Sequence, residues 1–324
     1  MKRLLLPALL LFSLVSAAQH TMRMPRFLRP GDKIAVISPS SSPDTLTVKR
    51  GCQTLREWGY EPVVGRHALS HYHGFAGTAD ERAADLLWAL RDTTISAIIC
   101  TRGGDGAMQV LQRIAPDEMG RNAKWIIGFS DATALHSAAV AAGTMSIHGS
   151  MCHAISSMGG RDTVSVTLRR MLEGQLPTYH VARHEHDQQG HATGMLVGGN
   201  MSVFSALAGS AYDFLSVDAD LILFIEDKGE GMTKIDRLFH QIEIRGLMPK
   251  VKGVIVGRFS DYKHPENGFS DMYDMLHEYL RHYRIPVCYG FPVGHARLNN
   301  FPLIEGCQVR LSVGSQGSTL QFIK

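Results

Sequence analysis

Apolar residues along this chain fall into two alternating rhythms. Short unbroken apolar runs bounded by glycine, proline or polar clusters read as buried strands, and longer stretches with apolar positions three and four apart read as amphipathic helices. Residues 62–64 and 125–127 are runs of the first kind, as are, almost wholly apolar, the β-rich runs 33–37, after Lys33, and 95–100, with Ser96. Between them, Leu46, Val48, Cys52, Leu55 and Trp58 recur at roughly helical spacing over 45–58 and stop at Gly59, a residue suited to a C-terminal cap. Ala83, Leu86, Leu87 and Leu90 mark a second helix over about 80–90. Strands alternating with helices predict a doubly wound parallel sheet, an α/β fold whose ligands bind outside the carboxyl ends of the strands.

The second half repeats the pattern more loosely. Residues 196–200 lead into an apolar helix around 203–207, and 221–225 form an unbroken apolar strand ending in Glu226 and Asp227. A carboxylate at the end of a buried strand must be paired or functional, because its desolvation is otherwise costly. Ile235, Leu238, Phe239 and Ile242 space a core-facing helix, 251–256 form another buried strand, and 286–289 run into a glycine-flanked turn that presents His295. Between 175 and 194 the chain turns polar and carries His180, His184, His186 and His191, which reads as a linker. The expected division is an N-terminal domain over 25–175, a linker over 176–194 and a C-terminal domain over 195–324.

Two loops at strand ends carry candidate chemistry. In 124–140 a buried strand gives way through Gly128, Phe129, Ser130 and Asp131 to a helix. Main-chain N–H groups at a helix start are unpaired, so an oxyanion formed beside Ser130 would find donors in place, the logic of a nucleophile elbow. A plain turn or N-cap serine is the alternative, since the second glycine of the usual elbow is missing. The loop of Arg102, Gly103, Gly104, Asp105 and Gly106 lacks the spacing of either nucleotide-binding glycine motif. It suits close backbone approach to a substrate oxyanion or a tight strand-to-helix turn.

With 324 residues, 44% hydrophobic and 19% charged, the chain can bury the cores of two ordinary domains. The net charge of +3 is spread without a basic stripe, so nucleic acid is not an expected partner. Met1, Lys2 and Arg3 precede an apolar run over 4–15 and then Ser16, Ala17 and Ala18, the order of a cleaved secretory signal over 1–18. The run is too short to span a bilayer. The expected location is therefore outside the cytoplasm, in the periplasm. Five cysteines, an odd number without C-x-x-C spacing, read as core residues, although one pair could be bridged after export. His184 and His186 are the one possible metal pair, unsupported by a nearby ligand set, so neither metal nor cofactor is expected.

Taken together, the residues resemble the LD-carboxypeptidases, the serine peptidase family that trims murein peptides and includes the microcin C immunity peptidase. The resemblance covers nearly the whole chain after the signal. It rests on Arg29-Pro30-Gly31-Asp32, Phe75-Ala76-Gly77-Thr78 with Asp80 and Arg82, and Arg102 to Gly106. Further matches are Gly128-Phe129-Ser130-Asp131-Ala132, His148-Gly149, Gly198-Gly199-Asn200, Phe224-Ile225-Glu226-Asp227 with Gly229 and Glu230, and Gly294-His295. The resemblance implies an amidotransferase-like (flavodoxin-like) N-terminal domain, a smaller β-rich swivelling C-terminal domain, and a homodimer. It also implies a triad of Ser130, Glu226 and His295, with the N–H of Asp131 and one of Gly103 or Gly104 holding the oxyanion. The expected reaction is hydrolysis of the amide between an L-centre and a terminal D-residue, D-alanine of a peptidoglycan-derived tetrapeptide. Alternatives are a peptidase or amidase on another peptide conjugate, or a non-catalytic binder of murein fragments; cytoplasmic location is the alternative to export, as for many relatives.

Overall fold

The computed structural model describes residues 22–263, 268–296 and 299–323. The signal expected over 1–18 lies outside the described residues. The N-terminal half runs β1 (Lys33–Ile37), α1 (Thr45–Glu57), β2 (Glu61–Val64), α2 (Ala79–Arg91), β3 (Ile95–Cys100), α3 (Ala107–Leu111), α4 (Glu118–Arg121), β4 (Trp125–Gly128), α5 (Thr133–Ala141), β5 (Ser146–His148), α6 (Cys152–Ser157) and α7 (Thr163–Leu172). Local chemistry sets the helix starts. Asp44 caps α1 by accepting from the Thr47 N–H at 3.0 Å, and Thr78 and Glu81 form a reciprocal capping box on α2. Gly59, at φ +94°, ends the turn after α1.

Strands β1 to β5 pair in parallel in the order β5-β4-β3-β1-β2. Every residue of β3 and β4 is buried, which is why they read as almost wholly apolar runs: helices cover both faces of such a sheet. The sixth strand, β11 (Leu303–Glu305), returns from near the chain's end to pair antiparallel with β5.

The C-terminal half contributes β6 (Thr178–Ala182), β7 (Gly190–Asn200), α8 (Met201–Ser205), β8 (Leu221–Lys228), α9 (Met232–Ile244), β9 (Val251–Ser260), α10 (Met272–Leu280), β10 (Val287–Tyr289), β12 (Gln308–Gly314) and β13 (Gly317–Phe322). Its seven strands lie in the order β10-β9-β8-β7-β12-β13-β6, parallel from β10 to β7 and antiparallel from β7 to β6. The architecture is therefore two-domain α/β with a β-rich C-terminal part. The stretch 176–194, expected as a linker, carries β6 and the first residues of β7. Its polarity has a physical cause: β6 is an edge strand whose Thr178, His180 and Ala182 face solvent while Tyr179 is buried.

Candidate active site

β4 ends at Gly128, Phe129 is extended, and Ser130 sits at φ +64°, a left-handed conformation rare for a residue with a side chain. Such strain costs on the order of 1–3 kcal/mol and persists only where the surroundings enforce it. They do so here. The Asp131 carboxylate accepts from Ser40 Oγ at 2.6 Å and from the Ala107 N–H at 2.8 Å, tying the corner to the loops after β1 and β3. Burial pushes the Asp131 pKa up, against the pull of those two hydrogen bonds. His136, fully buried on α5, donates from Nε2 to the Gly128 carbonyl at 2.9 Å and accepts at Nδ1 from Ser146 Oγ at 2.9 Å. Burial pushes its pKa down to about 4, so it stays neutral. The glycine loop packs directly on the corner: a Cβ on Gly103 would lie 2.9 Å from Ser130 Cβ.

The second half of the site hangs on the parallel ladder. β8 lies between β7 and β9, with Glu226 opposite Asn200 in register. Glu226 is wholly buried, and its neighbour Asp227 is held by Ser202 Oγ at 2.7 Å, the Ser202 N–H at 2.8 Å and Asn200 Nδ2 at 3.2 Å. The Asn200 N–H in turn donates to Thr133 Oγ1 at 3.1 Å, joining the end of β7 to the start of α5. His295 arrives on the turn after β10. At Gly294, φ is +118° and a Cβ would lie 3.0 Å from Glu226 Cβ, so only glycine brings the chain this close. The Gly294 N–H donates to Asn300 Oδ1 at 2.9 Å, and the same oxygen accepts from His148 Nε2 at 3.3 Å.

These supports bring three side chains into one line. His295 Nδ1 is 2.7 Å from Glu226 Oε2, and His295 Nε2 is 2.9 Å from Ser130 Oγ. With Nδ1–H donating to the carboxylate, Nε2 presents its lone pair to the serine hydroxyl. Burial works to lower the His295 pKa, but the hydrogen bond and charge of Glu226 outweigh it and the net shift is upward. Burial also raises the Glu226 pKa, with the His295 hydrogen bond opposing. Chemically, the arrangement can move a proton from the hydroxyl to the imidazole and stabilise the cation that results.

Two cavities open on this line. One of about 420 Å³ is lined in part by Asp105, Asp131, Asn200 and Glu230, the other, of about 390 Å³, by Arg102, Gly103, Phe129 and His153; Gly104, Ser130, Lys228 and His295 line both. Buried Arg82 shapes the walls, donating to the carbonyls of Pro39 at 2.6 Å and Gly106 at 2.8 Å and to Gln109 Oε1 at 2.6 Å.

The structure thus brings Ser130, Glu226 and His295 together and packs Gly103 against the serine, with Asp131 next in the chain and Gly104 on the cavity wall. His184 and His186 lie elsewhere, in a ring cluster with His277 and Tyr289, and among the described residues no group of three or more His, Cys, Asp or Glu is placed to hold a metal. All five cysteines are buried and unpaired, so no pair is bridged. Asn300, Asn200 and the role of His148 escaped sequence reasoning. His148-Gly149 and Gly198-Gly199-Asn200 were visible as motifs, but nothing in them told what they would touch.

Comparison with known proteins agrees with this architecture. Residues 34–149 match the LD-carboxypeptidase N-terminal domain and residues 193–311 the LD-carboxypeptidase C-terminal domain. A putative carboxypeptidase of Synechocystis sp. is 33% identical over 314 residues, 95% of this chain and 100% of that protein. The murein tetrapeptide carboxypeptidase of Pseudomonas aeruginosa is 28% identical, covering 82% of this chain and 89% of its own. The crystal structure of muramoyltetrapeptide carboxypeptidase from Oxalobacter formigenes shares the fold, with a TM-score of 0.81 at 23% identity over 90% of this chain and 99% of that one. The matches define a hydrolase, and within that class a peptidase. The chain belongs to the LD-carboxypeptidase family.

Proposed function

We propose that the protein is a serine-type LD-carboxypeptidase that releases a terminal D-residue, D-alanine, from murein tetrapeptides. The reading rests on the hydrogen-bonded line from Ser130 Oγ through His295 to Glu226. Ser130 Oγ attacks the carbonyl of the L-centre as its proton passes to His295 Nε2. Glu226 fixes the imidazole tautomer and stabilises the imidazolium. The N–H of Asp131 and one of Gly103 or Gly104 receive the oxyanion, each such donor contributing roughly a hundred- to a thousand-fold in rate. His295 then returns the proton to the departing amine, and water, activated by the same imidazole, hydrolyses the acyl-serine. The relative from Pseudomonas aeruginosa that carries murein tetrapeptide in its name supports the choice of substrate.

The reading includes export, with residues 1–18 removed as a signal, a homodimeric assembly, and domains over 25–175 and 195–324. Among the described residues no helix is long and apolar enough to cross a membrane, which is compatible with a released enzyme. Mass spectrometry of products from purified muropeptides tests the reaction: conversion of tetrapeptide to tripeptide plus D-alanine is expected, and intact tetrapeptide would refute it. N-terminal sequencing of the extracytoplasmic fraction tests export, with a mature start at Gln19 expected and intact Met1 in the cytosol refuting it.

A further inference from the structure

The two cavities that meet at Ser130 differ in charge. The first carries Asp105 and Glu230 on its wall, in addition to Asp131 and Asp227, whose carboxylates are taken up by internal hydrogen bonds. The second, and a third of about 270 Å³ that continues from it past Phe129 and Ala154, carry Arg102, His153 and Lys228, with no carboxylate among the described lining residues. Neither cation is locked away. Arg102 makes one hydrogen bond, from Nη1 to the Ser42 carbonyl at 3.4 Å, and the rest of its fork is uncommitted among the described residues. Lys228 Nζ is 3.3 Å from Asp261 Oδ2, a pair half-exposed on both sides and so weak enough to exchange for a better partner. On the other wall Glu230 is partnered by Lys234 at 2.5 Å, while Asp105 donates its N–H to Ser41 Oγ at 3.2 Å and its carboxylate has no ion-pair partner among the described residues.

A carboxypeptidase must tell a free terminus from a peptide that continues, and the distinguishing group is a carboxylate within one residue of the scissile bond. Resting on the carboxypeptidase reading above, we infer that Arg102 and Lys228 bind the terminal carboxylate of the departing residue, while Asp105 across Ser130 repels it. Attraction on one wall and repulsion on the other fix the direction in which the peptide lies across the serine, since specificity needs the wrong orientation to be disfavoured as well as the right one favoured. Arg102 supplies a planar fork matched to a carboxylate, and Lys228, which lines all three cavities, sits at the boundary. Its position next to Glu226 and Asp227 in the chain fixes that boundary to the same strand end as the orienting carboxylate.

The test uses the full-length mature enzyme with a murein tetrapeptide ending in D-alanine and the same peptide ending in D-alaninamide. The wild type should cleave the acid roughly 10- to 100-fold better in kcat/KM than the amide, the worth of a hydrogen bond to a charged group. Arg102→Gln and Lys228→Gln should each raise KM for the acid and reduce its kcat/KM about tenfold more than that of the amide, collapsing the ratio. Asp105→Arg should open a second, non-productive seat for the carboxylate and lower kcat and KM for the acid together. Equal cleavage of acid and amide by the wild type, or an unchanged ratio in both Arg102→Gln and Lys228→Gln, overturns this inference and leaves the carboxypeptidase reading standing. Failure of the wild type on both peptides overturns the reading itself, and this inference with it.

Discussion

The serine corner and the glutamate-histidine half of the site reach the same line by different physics. At Ser130 the geometry is written into the backbone: a strand ends, one residue takes a left-handed turn at φ +64°, and a helix begins three residues on. Glu226 and His295 lie 69 residues apart, and their meeting depends on strand register and on the clearance at Gly294. The first half stores strain and needs staples such as Asp131 and His136. The second stores a buried charge and needs a partner for it. A local motif can therefore mark out Ser130, whereas the meeting of Glu226 with His295 becomes visible only once the sheet is assembled.

The comparison can be broken at either end. The largest expected loss is Ser130→Ala, on the order of a millionfold in kcat, with His295→Ala added to it costing little more, because groups that act as a unit are not additive. Turnover on a tetrapeptide, with thermal melts as the folding control, checks this; losses that simply multiply would mean the two halves work independently. Glu226→Gln should cost roughly ten-thousandfold by misorienting the imidazole. It should also move the acid limb of kcat/KM. His295 must be neutral to accept the serine proton, and Glu226 holds its pKa above the ordinary value, so activity should fall as pH drops through that raised pKa. In Glu226→Gln the limb should shift to lower pH, and an upward shift in the pH profile would show that the carboxylate does not support the cation.

Gly294→Ala sharpens the contrast further, since it adds a Cβ 3.0 Å from the Glu226 side chain at a φ of +118°. A displacement of His295 by about 1 Å should cost on the order of a hundredfold in kcat/KM. Gly103→Ala, which presses on Ser130 instead, should act on the other half of the line, and crystal structures of the two variants would show which side chain moved. The smallest effect on turnover belongs to His136. Its folded pKa of about 4 lies below that of an unfolded histidine, so the unfolded state binds the extra proton first. Its contribution to stability is intact above about pH 6.5 and falls by up to ~3 kcal/mol as pH drops towards 4. His136→Gln, which keeps an amide donor for the Gly128 carbonyl, should flatten that part of the stability-pH curve in denaturant titrations at a smaller cost to neutral-pH turnover than the substitutions above, and an equal slope would place the sensitivity elsewhere.

What could be read beforehand follows the same division. β1 and β3 were visible to the residue because both faces of each are buried and the runs are apolar but for Lys33 and Ser96. The 176–194 stretch misled because an edge strand shows solvent one side of its pleat, and Tyr179 was the only fully buried position among the five residues of β6. Ser130 stood out from local sequence, but Glu226 and His295 were singled out among many acids and histidines chiefly through resemblance to a family. Asn300 was invisible on any local ground: its partners are Gly294, six residues away, and His148, 152 residues away.

The strand β11 has a consequence for how the molecule comes into being. It borders β5, whose other neighbour β4 ends at the serine corner, yet it is drawn from Leu303–Glu305, more than 150 residues downstream of β5 at Ser146–His148. A nascent chain emerging from the ribosome can therefore fold most of the N-terminal half early but leaves that edge of β5 bare until residues 303–305 have been made. That edge is an invitation to mispairing for the whole interval. Closure by β11 comes after His295 has been synthesised, so the first sheet is sealed only when Ser130, Glu226 and His295 are all already present in the chain.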